Sequence, residues 1–547
     1  MEQTPQPEMI SIKLTLNGQT QSWTVPPKQV LLDFLRETAG LKSVKTGCRK
    51  GDCGMCTVLL NGVPAKSCLL TMQALDGKQI ETLEALGDHD HLHPLQQAFL
   101  ETGAIQCGFC TPAQILTAKA FLDKNKKPAA ADVRKALSGV LCRCTGYVRI
   151  VDAVLRAAAV MRGEQLAPYV PSELFYDQDI SEVNLPAAYY RKDGNSDPLL
   201  PLVITPGKMP KTTAVGKSSQ KVDGVKLATG KPAFTDDVQP EGMLFGALLT
   251  SPHAHARIKN IDVSAAKAFP GVRAVITYKD VPRIKYATGG QSYPQPLPHD
   301  QVSLDNKVRH VGDRVAILAA DTQEIADKAL ELIKVDYEVL EPVLDMEAAM
   351  QDGAPVIHDE PDTEGIYDAS HNLVHHIEAE VGDPDGTFAA CDHVFVGEYR
   401  TPKQQHGQME PHVCITYFDE DDRLVVRSST QVPFHVRRII APLIGLPVKR
   451  IRVIKPRIGG GFGGKQEVLL EDLCGHLTIA TGKPVRMEYT RSQEFTSGRS
   501  RHRQIIRYKL GLKDKTVVAA ELRLIGDTGA YGTHGLTVNM VGGFKGL

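Results

Sequence analysis

The sequence predicts a multidomain α+β protein, and three features predict it. Alternating apolar residues joined by Asn17-Gly18 open the chain, helical periodicity fills 86–162, and strand and helix patterns alternate from about 216 onward. At 547 residues the chain is long enough for several domains, each with its own core. The expected division is a small mixed-β domain over 1–85, a helical domain over 86–162, a linker over 163–215, an α/β lobe over 216–365 and a further mixed region over 366–547.

Residues 9–16 alternate as a strand, Asn17-Gly18 forms a two-residue hairpin turn, and a second strand follows near 22–25. A helix is expected near 31–38 and another strand at 57–60. Small mixed β with one helix is the β-grasp layout of plant-type ferredoxins. Cys48, Cys53, Cys56 and Cys68 lie in this stretch as C-x4-C-x2-C-x11-C, the spacing of a plant-type [2Fe–2S] loop. Gly47, Gly51 and Gly54 let the backbone turn tightly around a cluster. Zinc knuckles are the competing reading, but they come as paired C-x2-C units rather than one long asymmetric loop.

Helices are expected at 93–101, 112–122, 131–141 and 150–161, the third with Asp132 as N-terminal cap. The run Asp88-His89-Asp90-His91-Leu92-His93 reads as a solvated helix entry rather than a ligand set. Cys107 and Cys110 fall between two of the helices, and Cys142-Arg143-Cys144 ends the third. The CxxC half alone could be redox-active or zinc-binding. With a C-x-C pair across a helical hairpin, the four can instead hold a second [2Fe–2S] cluster. Residues 163–215, rich in Pro, Tyr and polar residues, read as a linker. Strands follow at 243–249, 272–277, 314–319, 333–337, 413–417, 424–428 and 450–454, with a helix at 323–332.

Composition limits the partners. With 63 basic and 64 acidic side chains the net charge is −1, so no electrostatic case exists for nucleic acid or an anionic membrane. No run of 18 apolar residues is present, so no membrane span is expected, and residues 1–8 lack the features of a signal peptide. Cys391, Cys414 and Cys474 are scattered and read as buried free thiols, which points to a reducing, cytoplasmic location.

In Gly459-Gly460-Gly461-Phe462-Gly463-Gly464-Lys465, the residues Gly459, Gly461 and Gly464 satisfy G-x-G-x-x-G. A strand precedes them, a helix is expected over 467–480, and Glu488 follows, so a dinucleotide fingerprint is open on sequence rules. Pro456-Arg457 between strand and glycines, and Phe462 inside the turn, argue against it.

The two cysteine sets in this order, with Gln106-Cys107-Gly108-Phe109-Cys110-Thr111-Pro112 and Cys142-Arg143-Cys144-Thr145-Gly146-Tyr147, resemble the molybdenum hydroxylases. That family comprises xanthine dehydrogenase, aldehyde oxidase and aerobic carbon monoxide dehydrogenase. Lys221-Val222-Asp223-Gly224 and Arg309-His310-Val311-Gly312-Asp313-Arg314 extend the resemblance, which makes 216–365 a hammerhead-like lobe and 366–547 part of a molybdopterin-binding region. It gives His253 and His255 a structural place rather than a metal.

The resemblance implies two [2Fe–2S] clusters, held by Cys48, Cys53, Cys56 and Cys68 and by Cys107, Cys110, Cys142 and Cys144. It implies molybdenum–molybdopterin, in the cytosine dinucleotide form in bacteria, touched by Gln106 and Cys144 and faced by Gly461, Phe462, Gly463 and Gln431. Gln431 would act beside the metal as a neutral donor. Gln466 stands where xanthine-oxidising members carry a substrate-contacting glutamate, which favours a purine or related N-heterocycle. The branch it resembles most fuses iron–sulfur and molybdopterin parts without FAD, so FAD is expected on a partner subunit. Gly526-Asp527-Thr528-Gly529-Ala530-Tyr531-Gly532 matches the middle of the family's molybdopterin region, so a chain supplying the rest, including the family's glutamate base, is also expected, with no hydroxylation without it. The function implied is hydroxylation of a small molecule with water as oxygen source, electrons leaving through the clusters. An aldehyde oxidoreductase on the same scaffold and an electron-transfer subunit without molybdenum are the alternatives.

Overall fold

The computed structural model describes residues 9–169, 219–289 and 293–546. The expected linker over 163–215 lies outside the described residues except for 163–169, which carry no helix or strand.

Ile10–Leu16 and Gln19–Val25 pair antiparallel through Asn17 (φ 50°) and Gly18 (φ 82°), a turn that needs two left-handed residues. They join Gln79–Glu81, Thr57–Leu60 and Val63–Lys66 in a five-stranded mixed sheet. The helix expected at 31–38 is instead a short α-turn, Leu31–Asp33, running into a π-helical segment, Phe34–Thr38. The wider turn buries Arg36 beside Leu32, Phe34 and Leu35, and its guanidinium reaches Val44 O at 2.5 Å and Asp236 O and Oδ2 at 2.7 Å each.

Four helices follow, Pro94–Glu101, Thr111–Lys124, Ala130–Leu137 and Val148–Met161. Phe99, Ile115, Val133 and Val154 are buried between them. Asp132 is not the cap of the third helix. It sits one turn in, and its Oδ2 accepts from Ala129 N at 3.0 Å, the reverse half of a capping box. That helix stops at Leu137 rather than 141, and the turn through Gly139 carries the chain to Cys142. His93 caps the first helix, its Nδ1 accepting from Leu95 N at 3.1 Å, so the His-rich run is a helix entry.

Beyond residue 219 the main body is a seven-stranded sheet in the order Ile451–Ile454, Leu424–Ser428, Val413–Phe418, Val485–Glu488, Leu244–Thr250, Arg314–Ala320, Val272–Thr277. Strands from either side of residue 365 share it, joined where Val485–Glu488 runs parallel to Leu244–Thr250. Pro433–Leu443 and Glu471–Thr481 pack on it, with Cys414, Val426, Ile440, Leu473 and Cys474 in the shared core. The helix expected over 467–480 begins at Glu471, because Glu467 is drawn into a buried ion pair with Arg499 at 2.8 Å. His393–Thr401, Gln504–Lys513 and Thr516–Gly526 form a separate antiparallel sheet, and Val394, Phe395 and Val396 on its edge strand are all exposed. No helix among the described residues is long and apolar enough to cross a membrane.

The small domains are locked onto the large body and onto each other. Lys45 Nζ sits 2.8 Å from both Asp237 carboxylate oxygens, and Arg491 donates to Gly47 O, Gln408 O and Met409 O at 2.6–2.8 Å. Leu141 N donates to Cys53 O at 2.9 Å, tying the two cysteine segments together. Gly54 (φ 74°) makes that approach possible, since a Cβ there would stand 2.1 Å from Gly139 O. Gly54→Ala should therefore cost more than about 2 kcal/mol, left-handed strain plus a backbone clash, in urea unfolding followed by cluster absorbance. An unchanged midpoint would show that this contact does not form.

Candidate functional site

The first cysteine centre is a loop wrapped on itself. Cys48, Cys53 and Cys56 are buried and Cys68 is half-buried. Lys50 N and Cys53 N both donate to Cys48 Sγ at 3.4 Å, a contact that favours thiolate. A Cβ on Gly47 would meet Cys53 Sγ at 2.8 Å, so the cradle requires glycine there. The thiols fall into two pairs, Cys48 with Cys53 and Cys56 with Cys68. Burial, then the neighbouring thiols, push Cys53 up to about 12, while the contact with Cys68 draws Cys56 down to about 6.

In the second centre, Cys107 pairs with Cys144 and Cys110 with Cys142, and Cys142 also meets Cys144. Tyr147 Oη accepts from Cys142 N at 2.8 Å, and Thr145 Oγ1 lies 3.2 Å from Cys142 Sγ. Contact with Cys110 and Cys144 holds Cys142 well below the ordinary thiol range. All the described cysteines are free thiols. Among the described residues no three Cys, His, Asp or Glu side chains converge on one metal position. Two pairs facing each other, four thiols crowded where their charges would repel, is the donor set of a two-iron cluster, each iron taking one pair.

The glycine run at 459–464 is an irregular loop whose backbone is held from three sides. At its start, Glu410 Oε2 accepts from Gly459 N at 2.6 Å and from Lys465 Nζ at 2.9 Å. Glu410 and Lys465 are both wholly buried. In its middle, Gln431 Oε1 accepts from Gly463 N at 3.1 Å and Lys465 N at 3.2 Å. At its end, His412 Nε2 donates to Gly464 O at 3.1 Å while Nδ1 lies 2.9 Å from Glu494 Oε1. Burial would raise the Glu494 carboxyl, but His412 outweighs it and holds the group below its usual range. Phe462 is left-handed (φ 54°) and 48% exposed, strain that the clamped loop sustains.

This loop is not placed like a dinucleotide turn. The helix such a fingerprint needs at its last glycine starts only at Glu471, and the amides of Gly459 and Gly463 are already taken by Glu410 and Gln431.

The second cysteine centre lies against the loop. A Cβ on Gly459 would stand 2.8 Å from the Phe109 ring, and Arg143 Nε donates to His406 O at 2.9 Å. Cys144 is half-buried, Gln106 exposed, and Gln431, Gly463 and Gln466 half-buried around the loop. Gln466 Oε1 lies 4.0 Å from where a Cβ of Gly463 would be. His406, His412 and Glu494 went unnoticed in the sequence, where no spacing relates them to the glycines, and Glu410 had no assigned chemistry. Their partners lie up to 263 positions away.

Family models match four stretches of the chain. A 2Fe-2S iron-sulfur cluster binding domain matches 14–84, a [2Fe-2S] binding domain 82–155, an aldehyde oxidase and xanthine dehydrogenase a/b hammerhead domain 229–341, and a molybdopterin cofactor-binding domain 366–546. The chain is 35% identical over 559 residues to a probable hypoxanthine oxidase of Escherichia coli, covering 96% of this chain and 54% of that protein. It is 51% identical over 145 residues to the nicotinate dehydrogenase small FeS subunit of Eubacterium barkeri, covering 26% of this chain and 92% of that one. The solved aldehyde oxidoreductase from Desulfovibrio gigas superposes with a TM-score of 0.80 at 31% identity, covering 98% of this chain and 55% of that chain. The chain thus spans about half the length of the full-length relatives it matches. With paired cysteine centres, a hammerhead and a molybdopterin-binding region in one polypeptide, the chain belongs to the xanthine dehydrogenase and aldehyde oxidase family of molybdenum hydroxylases.

Proposed function

We propose that this chain carries the electron path and part of the molybdopterin site of an enzyme that hydroxylates a purine or related N-heterocycle with water as oxygen source. The observation that supports it most is the contact of the second cysteine centre with the glycine loop, through Phe109 on Gly459 and Arg143 on His406. Cys107, Cys110, Cys142 and Cys144 would hold the cluster that accepts electrons nearest the loop. Cys48, Cys53, Cys56 and Cys68 would hold the second cluster behind it, the two cysteine segments being joined by the bond from Leu141 N to Cys53 O.

Molybdopterin, when bound, supplies the two-electron oxidation. Gly461, Phe462 and Gly463 would face it, with Gln106 and Cys144 as contacts to the pterin. Gln431, its Oε1 committed to the loop amides, would present its amide N–H groups to the centre. The glycines allow close backbone approach, and a Cβ on Gly461 would meet Gln431 Oε1 at 2.6 Å. We take 1–85 and 86–162 as the cluster domains, 216–365 as the hammerhead-like lobe and 366–547 as a partial molybdopterin region. A cytosine dinucleotide form of the cofactor, a FAD-binding partner subunit, a polypeptide with the remaining molybdopterin region and a cytoplasmic location complete the reading.

Gln466 would read the substrate. A half-buried neutral amide beside the loop can both donate to and accept from a heterocycle edge. Gln466→Ala should lower turnover of hypoxanthine or nicotinate by about 1–3 kcal/mol in transition-state binding while molybdenum content holds. Loss of molybdenum along with activity would place Gln466 on the cofactor instead. An aldehyde substrate is the second reading, favoured by the TM-score of 0.80 to an aldehyde oxidoreductase. Comparing turnover of aldehydes with that of N-heterocycles decides between them.

A further inference from the structure

We propose that His406 is a specificity-determining residue that accepts a hydrogen bond from a ring N–H of the heterocyclic substrate, beside the amide of Gln466. The proposal rests on the N-heterocycle reading above and narrows it to rings that carry an N–H donor.

His406 sits where three parts of the molecule meet. Its carbonyl accepts from Arg143 Nε at 2.9 Å, in the cysteine hairpin of the helical domain. Its ring packs on the glycine loop, with Nδ1 and Cγ 3.0 and 3.1 Å from where a Cβ of Gly464 would stand. The same Nδ1 lies 3.1 Å from Arg499 O. A carbonyl can only accept, so in the neutral ring the proton resides on Nδ1 and Nε2 keeps its lone pair. Burial pushes the imidazole below its ordinary range, which keeps the ring neutral.

Nε2 faces the open side of Gly463. It stands 3.9 Å from the point a Cβ of Gly463 would occupy, and Gln466 Oε1 stands 4.0 Å from the same point. The space over Gly463 is therefore bordered by an acceptor, by an amide able to donate or accept, and next door by the exposed ring of Phe462. Gly463 has φ +89°, so a side chain there would be strained as well as obstructive. A planar ring presenting an N–H to His406 and a second polar group to Gln466 fits that border. A ring without an N–H leaves Nε2 unmatched. The rule that a site built for one hydrogen-bonding group discriminates against its absence then applies.

The test uses the molybdenum-loaded enzyme that contains this chain. His406→Ala should raise KM for hypoxanthine, which carries ring N–H groups, by about tenfold to hundredfold, with kcat changed by less than about threefold. KM for nicotinate, whose ring nitrogen bears no hydrogen, should stay unchanged. His406→Gln, which restores an acceptor, should recover most of the loss, and iron and molybdenum contents should equal those of the unsubstituted enzyme. Equal KM shifts for the two substrates, or loss of molybdenum in His406→Gln, would overturn the assignment, the latter giving the residue to the cofactor. Hypoxanthine turnover with an unmoved KM overturns the role of His406 alone. Turnover of aldehydes but of no N-heterocycle would remove the reading beneath it and the proposal together.

Discussion

Cys110→Ala should erase one of two reduced iron–sulfur resonances, and Cys53→Ala the other. The eight thiols stand in two separate groups of four, and each group is two facing pairs. Removing one ligand leaves an iron with one protein thiolate, which a buried centre cannot replace from solvent; Cys53 and Cys110 are 5% exposed. The iron content should fall by about half in each variant. Cys414 and Cys474, wholly buried in the core of the seven-stranded sheet, and Cys391, outside both centres, should keep all iron when replaced by Ala. Loss of a single shared signal by both Cys53→Ala and Cys110→Ala would refute two centres.

Glu410→Ala should destabilise the large body by about 3–5 kcal/mol, since it strands Lys465 as an unpaired charge in a wholly buried place. The same change leaves Gly459 N without its acceptor at the start of the loop. Glu410→Gln keeps an oxygen for Gly459 N but gives up the charge opposite Lys465, so it should fall between. Replacing the pair together, Glu410→Leu with Lys465→Met, should recover most of the stability, because the cost of each single change is mainly the uncompensated partner. Urea unfolding of the three variants checks this, and losses under about 1 kcal/mol for Glu410→Ala would show that the pair does not hold the loop.

How much of this was legible beforehand divides along physical lines. The cysteine centres follow from short-range spacing, because a cluster closes a loop locally and demands glycine beside it, as at Gly47 and Gly54. The strands at 57–60, 272–277 and 424–428 also stand where their patterns put them, being fully paired or core-facing. The site around the glycines was legible only in outline. The resemblance pointed to Gln431 and Phe462, but the loop is held by Glu410, His412 and Glu494, whose contacts span 49 to 82 positions. No local rule reaches so far. The sequence places a helix start at Glu467, whereas a buried bond to Arg499 takes that residue out of the helix. The π-helical turn at Phe34–Thr38 escaped for the same reason, since its geometry serves the contact of Arg36 with Asp236, two hundred positions later.

The cysteine centre of the helical domain adjoins the glycine loop at 459–464, and the other centre lies behind it. The most direct measurement is the electron paramagnetic resonance of the partly reduced enzyme containing this chain. The account predicts a molybdenum signal split by a nearby reduced cluster, with the splitting lost in Cys110→Ala and kept in Cys53→Ala. An unsplit signal in the unsubstituted enzyme, or splitting that vanishes with Cys53→Ala and survives Cys110→Ala, would contradict it.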